Sequence, residues 1–196
     1  MARPKKDQQG PTAKERLSNA FWDMLEHMPY SKITVAALSS QANVNHNTFY
    51  RHFGCIDDMA QELFDKNMLP ELPKKILPLL YRGEPDPQVD FFNPEIRQRF
   101  ERARLFACSD SVRLNAILKR SLTNLWLDMV ELTEDDLSQQ DKDKISFIFG
   151  GLVSLLGGNE EPFEPERLLG VAESSLGRGV FETLAELASQ KDTAAK

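Results

Sequence analysis

The stretch that decides the fold runs from Thr34 to Phe53 and reads TVAALSSQANVNHNTFYRHF. Thr34 is a residue type that caps a helix through its side-chain oxygen. Behind it Val35, Leu38 and Ala42 fall at three- and four-residue spacing, the mark of a single apolar face on a two-turn helix. Asn43 tolerates the left-handed backbone of a tight turn, Val44 plugs that turn, and Asn45 offers a second cap. Phe49 and Phe53, four apart, face back toward the first helix. The reading is helix, short turn, helix. A turn this short prevents long antiparallel contact, so the two helices are expected to cross steeply, as in a helix-turn-helix.

Burial of Phe49 and Phe53 turns Asn45, His46, Asn47, Thr48, Tyr50, Arg51 and His52 toward the remaining faces. Their chemistry suits DNA. Histidine and asparagine hydrogen-bond base edges, threonine offers a methyl and a hydroxyl, and tyrosine, arginine and protonated histidine bind phosphate oxygens. The bland alternative is an ordinary polar surface on a small helical domain. A metal site is not expected here, because His46 and His52 are six apart, on different helix faces, with no third ligand near.

The run from Thr34 to Phe53 resembles the DNA-binding domain of the TetR/AcrR family of transcriptional regulators, whose usual pattern is T-V-x-x-I-A-x-x-A-G-V-S-x-G-T-L-Y-x-H-F. The likeness extends over roughly residues 12 to 66; beyond them only the number and lengths of the helices look similar. It implies that Thr34, Tyr50 and His52 meet phosphates, that His46, Asn47 and Thr48 lie toward the bases, and that Val44 and the phenylalanines are core. The departures are chemical as well as formal. Asn43 and Asn47 replace the usual glycines, Asn45 replaces the serine cap, and Ile56 stands where the family commonly has a phosphate-gripping lysine.

Charge distribution fits a basic head on an acidic body. Residues 1–56 hold seven Lys/Arg against four acids, whereas the remaining 140 residues hold 17 against 26, within an overall net charge of −6. That asymmetry is the footprint expected of a modular DNA binder. For the basic tail, residues 1–10, disorder is the expectation and minor-groove contact the alternative. The polar start MARPKKDQQGPTAK predicts no secretory leader, and FIFGGLVSLLGG at 147–158 is too short for a membrane span, which takes about 20 residues. Cys55 and Cys108, few and widely separated, fit reduced thiols, so a cytoplasmic protein is expected.

Periodicity gives helices nearly throughout and no alternating strand, hence an all-α chain. It divides into a three-helix helix-turn-helix domain over 1–56 and a larger helical effector-binding and dimerisation domain over 57–196. Thr12 and Glu15 form a capping box ahead of a stripe at Leu17, Ala20, Phe21, Met24, Leu25 and Met28. Asp57 and Asp58 open another helix. The proline-rich region 70–94 leaves room for at most one short helix near 74–81. Long helices are then expected at 94–108 and 110–132. A charged connector, TEDDLSQQDKDK, separates them from a helix over ISFIFGGLVSLLGG, residues 145–158. A last helix, from about Glu166, holds Leu168, Ala172, Leu176, Val180, Leu184 and Leu187 inward and frays at SQKDTAAK.

One helix-turn-helix reads too few bases to be selective, so a homodimer is expected. Gly150, Ser154 and Gly157 on one helix, and Gly170, Ser174 and Gly177 at the same spacing on the last, predict close approach of helix backbones in a four-helix seam, as the family resemblance also implies. By that resemblance a small-molecule effector binds among the middle helices. Phe100, Arg104, Trp126 and Phe147 are the first candidates to hold it; Phe91, Phe92, Phe106 and Phe163 are further aromatic ones, and Arg97 and Arg113 would serve an anionic ligand. Absence of a nucleophile–base pair, metal cluster or phosphate loop speaks against an enzyme, and no cofactor is expected. The function anticipated is a transcriptional repressor that a small molecule releases from a palindromic double-stranded operator. The rival is an all-helical protein-interaction adaptor.

Overall fold

The computed structural model describes residues 10–67, 93–158 and 165–194, and every regular element among them is helical. The helices are α1 (Ala13–His27), α2 (Val35–Gln41), α3 (His46–Tyr50), α4 (Ile56–Asn67), α5 (Pro94–Ala107), α6 (Val112–Met129), α7 (Gln139–Gly157), α8 (Pro165–Glu173) and α9 (Ser175–Ala194), with 3-10 turns at Tyr30–Lys32 and Glu134–Asp136. The short helix expected near 74–81, Phe91, Phe92, Phe163 and basic-tail residues 1–9 lie outside the described residues.

Local chemistry sets the helix starts. Thr12 Oγ1 accepts from Glu15 N–H (3.2 Å) while the Glu15 carboxylate accepts from Thr12 N–H (2.7 Å), the reciprocal box the sequence predicts. Thr34 Oγ1 caps α2 through Ala37 N–H (3.1 Å), and the Asn45 side chain caps α3 through Asn47 N–H (2.8 Å). Between them Asn43 adopts φ 49°, the left-handed turn expected of it.

One apolar core runs from the head into the body. Leu17, Phe21, Leu38, Phe49, Met59 and Phe64 close the head, and the same cluster continues through Phe106, Leu114 and Leu118. Phe106 is the junction: its ring lies 4.8 Å from that of Phe64, 5.6 Å from Trp22 and 6.5 Å from Phe21. Burying such a ring contributes about 1.5–3 kcal/mol, and each favourable aromatic pair adds about 0.5–1.5. Arg102 also stacks on Trp22, 4.8 Å from its ring centre, and burial pushes its guanidinium pKa down. Phe106 is therefore central packing, which removes it from the effector candidates. A second core at the far end gathers Trp126, Leu127, Leu132, Ile145, Phe149, Leu184 and Leu187 from α6, its following turn, α7 and α9.

Four expectations are corrected. Met28 is 36% exposed and Leu176 66% exposed, so neither belongs to the stripe assigned to it. Helix α6 stops at Met129, before Leu132, because Glu131 takes a left-handed backbone (φ 53°). Half of the charged connector is helix: Ser138 Oγ accepts from Asp141 N–H (3.2 Å) and starts α7 at Gln139, six residues before the apolar run. The last helix is two. Ser174 breaks it, donating to the Val171 carbonyl (2.6 Å) and accepting from Gly177 N–H (3.2 Å), while α9 continues to Ala194 through the segment expected to fray.

Candidate nucleic-acid interface

Thr34, Asn45, His46, Asn47, Tyr50, Arg51 and His52 are exposed, and Thr48 is half-buried, around the buried Phe49 and Phe53. Seven of the eight predicted positions therefore fall on the short segment 45–52, and Thr34 stands at the N-cap of α2. The His46 and Tyr50 rings meet edge to face at 5.2 Å, which orients the exposed phenol along α3. Tyr50 also contacts Phe49 (5.4 Å), so its outward direction is set from below. Arg51 and His52 follow at the helix end, where Phe49 carbonyl accepts from His52 N–H (2.9 Å).

Beside Tyr50 lies a cleft of about 360 Å³ lined by Tyr30, Ile33, Val35, Tyr50, Cys55, Ile56 and Asp57. Ile56 begins α4 and packs half-buried against the head core, so a hydrocarbon side chain stands at the start of that helix. Electrostatics are adjusted nearby by a contact that sequence reasoning missed. Tyr30 Oη donates to Asp57 Oδ1 (2.5 Å), and Arg113 from the start of α6 pairs with Asp57 Oδ2. Burial pushes the Tyr30 phenol up to about 12, which keeps it a proton donor. Asp57 is thus partly neutralised from within, lowering negative charge beside the candidate phosphate contacts. Arg113, considered above for an anionic ligand, is occupied here. Nothing local could have revealed a pair 56 residues apart.

The body candidates do not converge. Arg104 Nε donates to Glu101 on its own helix (2.7 Å), and Phe100 is half-buried on α5. Trp126 is fully buried in the second core. Phe147 is 79% exposed and is not an interior group: it follows the inward Ile145 by two residues, about 200° around the helix.

The small-residue rows divide similarly. A Cβ at Gly150 or Gly170 would have no neighbour within 4 Å, and Ser154 is exposed, so these three stand on open faces. Gly157 is different: a Cβ there would come 2.5 Å from the Ala107 carbonyl oxygen, where α7 crosses the end of α5. At Gly177 it would come 2.3 Å from the carbonyls of Val171 and Ala172, inside the α8–α9 elbow made by Ser174. Gly157, Ser174 and Gly177 therefore serve contacts within the chain, and the second row is not one straight helix face. What replaces it on α7 is an outward stripe of Phe147, Gly150, Gly151 and Ser154, with Leu176 exposed at the start of α9.

Among the described residues no group of three His, Cys, Asp or Glu side chains is placed to hold a metal, and no helix is long and apolar enough to cross a membrane. No family model and no curated protein matches the sequence. Among solved structures, the chain is similar to the crystal structure of the TetR family repressor AlkX from Dietzia sp. strain DQ12-45-1b, implicated in biodegradation of n-alkanes. Identity is 15%, over 91% of this chain and 96% of that one, with a TM-score of 0.40. At that distance no residue role is transferred.

Proposed function

We propose that the chain is a sequence-specific DNA-binding transcriptional regulator of the TetR/AcrR type, a homodimeric repressor released from a palindromic operator by a small-molecule effector. The observation that carries this reading is the outward set around α3: groove-compatible side chains exposed over two buried phenylalanines, with both helices of the motif capped by their own side chains. Thr34, Tyr50, Arg51 and His52 take phosphates, while His46, Asn47 and Thr48 address base edges, with Asn45 holding the helix start. The outward stripe of α7, with Leu176, supports pairing with a second copy, because an exposed phenylalanine followed one turn later by two glycines favours close apolar contact. Capture of sequences from a random duplex pool tests the regulator. Enrichment of an inverted repeat, with retention weakening as salt rises, is expected; an unenriched pool would leave the adaptor reading in its place.

A further inference from the structure

The second core contains a polar group that no contact among the described residues satisfies. Trp126 is 0% exposed, and its indole Nε1–H has no hydrogen-bond partner among the described residues. A buried donor without an acceptor costs about 1–3 kcal/mol, so its retention in an apolar core calls for a reason. Its neighbours in that cluster include Leu122, Ile145, Phe149, Leu184 and Leu187, which offer hydrocarbon surface. Water fits poorly in such a place, since a buried water needs two to four polar partners.

We infer that Trp126 is the polar anchor of a ligand site in this core, for a neutral, largely apolar molecule carrying one hydrogen-bond acceptor such as a ketone or ester oxygen. The inference rests on the effector reading above and narrows its ligand class. An anion is disfavoured by what the core holds. The one buried charged side chain among the described residues is Asp141, itself negative, and its carboxylate is taken up by Ser138 (2.5 Å) and Lys144 (3.0 Å). Arg104 and Arg113 are engaged with Glu101 and Asp57. Lys119, which ties α6 to α7, is held by Ser146 about two turns of helix from Trp126, so a carboxylate beside the indole would lose its hydration without a cation in exchange. A neutral acceptor instead gives the indole its missing partner while its hydrocarbon part meets leucine and phenylalanine. Binding would open space between α6, α7 and α9, so the molecule could bias how those helices stand.

Acetophenone, ethylbenzene and benzoate are near-matched probes differing in acceptor and charge. Titrated into the full chain without DNA, acetophenone should bind roughly tenfold more tightly than ethylbenzene, the factor expected for satisfying a buried donor, and benzoate should be weakest. Trp126→Phe should lower acetophenone affinity to the ethylbenzene level, with denaturation of the unliganded variant reporting separately what the smaller ring costs in packing. In the unaltered protein, the indole N–H resonance of Trp126 should move on adding acetophenone while that of Trp22 stays. The last measurement decides the matter even if the variant folds poorly. Equal affinities for acetophenone and ethylbenzene, benzoate binding best, no binding of any probe, or an unmoved Trp126 resonance would each overturn the inference. Operator binding alongside such a result removes the ligand class and leaves the regulator standing; probe binding through Trp126 without operator binding does the reverse.

Discussion

Helices α3 and α7 follow the same construction and present opposite chemistry. Each buries aromatic or aliphatic groups on one side, Phe49 under α3 and Ile145, Phe149, Val153 and Leu156 under α7. Outward, α3 offers asparagine, histidine, threonine and tyrosine; α7 offers phenylalanine, two glycines and serine. Side chains with directional donors and acceptors suit a polar, patterned surface such as a DNA groove, whereas a flat apolar stripe with little side-chain bulk suits another helix. The inner faces fix the helices, and the outer faces differ in the chemistry they offer.

The largest effect should come from the ring that joins the two regions. Phe106→Ala should cost about 3–5 kcal/mol in chemical denaturation. Because Phe106 touches Phe21, Trp22 and Phe64 of the head, loss of operator affinity should accompany it. If denaturation probes on α3 and on α7 then reported separate transitions, the junction would be the link that makes the two regions one cooperative unit.

Gly150→Leu tests the outer face of α7. A side chain there has open space within the protomer, and leucine is the better helix former by up to about 1 kcal/mol, so thermal stability of the single chain should hold or rise. In a dimer packed on this stripe the same change should overfill the seam by about 1–3 kcal/mol, visible as dissociation in sedimentation. Unchanged association would remove α7 from the interface.

On α3 the effects are comparable or smaller and differ by duplex. His46→Ala should lose about 1–3 kcal/mol on the preferred operator and relax one or two base positions, with little change on random DNA. Tyr50→Phe should weaken both duplexes alike, since a phosphate contact carries no direct base information. With hydrocarbon at Ile56, the salt dependence should be shallow for a dimer of this size. Affinities measured across a salt series on matched and random duplexes check all three.

The smallest effect concerns the start of α7. The Ser138 hydroxyl, and after it the Lys144 ammonium, hold the Asp141 carboxyl below its usual range. Its folded pKa is depressed, so its contribution is present above the unfolded value of about 4 and fades as pH falls through the folded one. Asp141→Asn should therefore be less stable than the parent at neutral pH, with the gap closing in acid; a gap independent of pH would assign the loss to geometry alone.

How much the sequence revealed depended on range. Thr12, Thr34, Asn43 and Asn45 act within three residues of themselves, and their roles were legible together with the faces of Leu38, Phe49 and Phe53. Trp22 escaped the stripe on α1 because its burial is created by Arg102 and Phe106, some 80 residues on. Ser174 looked like one small residue in a helical row, since a hydroxyl that caps and a hydroxyl that merely lies on a surface have the same spacing. Phe147 is an effector candidate by its aromatic ring alone; the helical spacing that puts Ile145 and Phe149 inward leaves it on the other side, where it stands exposed. The α3 surface stood out because polar residues cluster there against the apolar pattern. The body's candidate sites, built from residues that are also good core, had no such contrast.

The aromatic junction also sets limits on exchange of parts. A head cut from this chain after α4 would leave Phe21, Trp22 and Phe64 without Phe106, uncovering rings that are now at most 7% exposed. A chimera that borrows its α3 would have to carry α5 along, or supply at the graft a ring and a cation to replace Phe106 and Arg102. Helix α5, far along the chain from α3, is in that sense part of the transplantable unit.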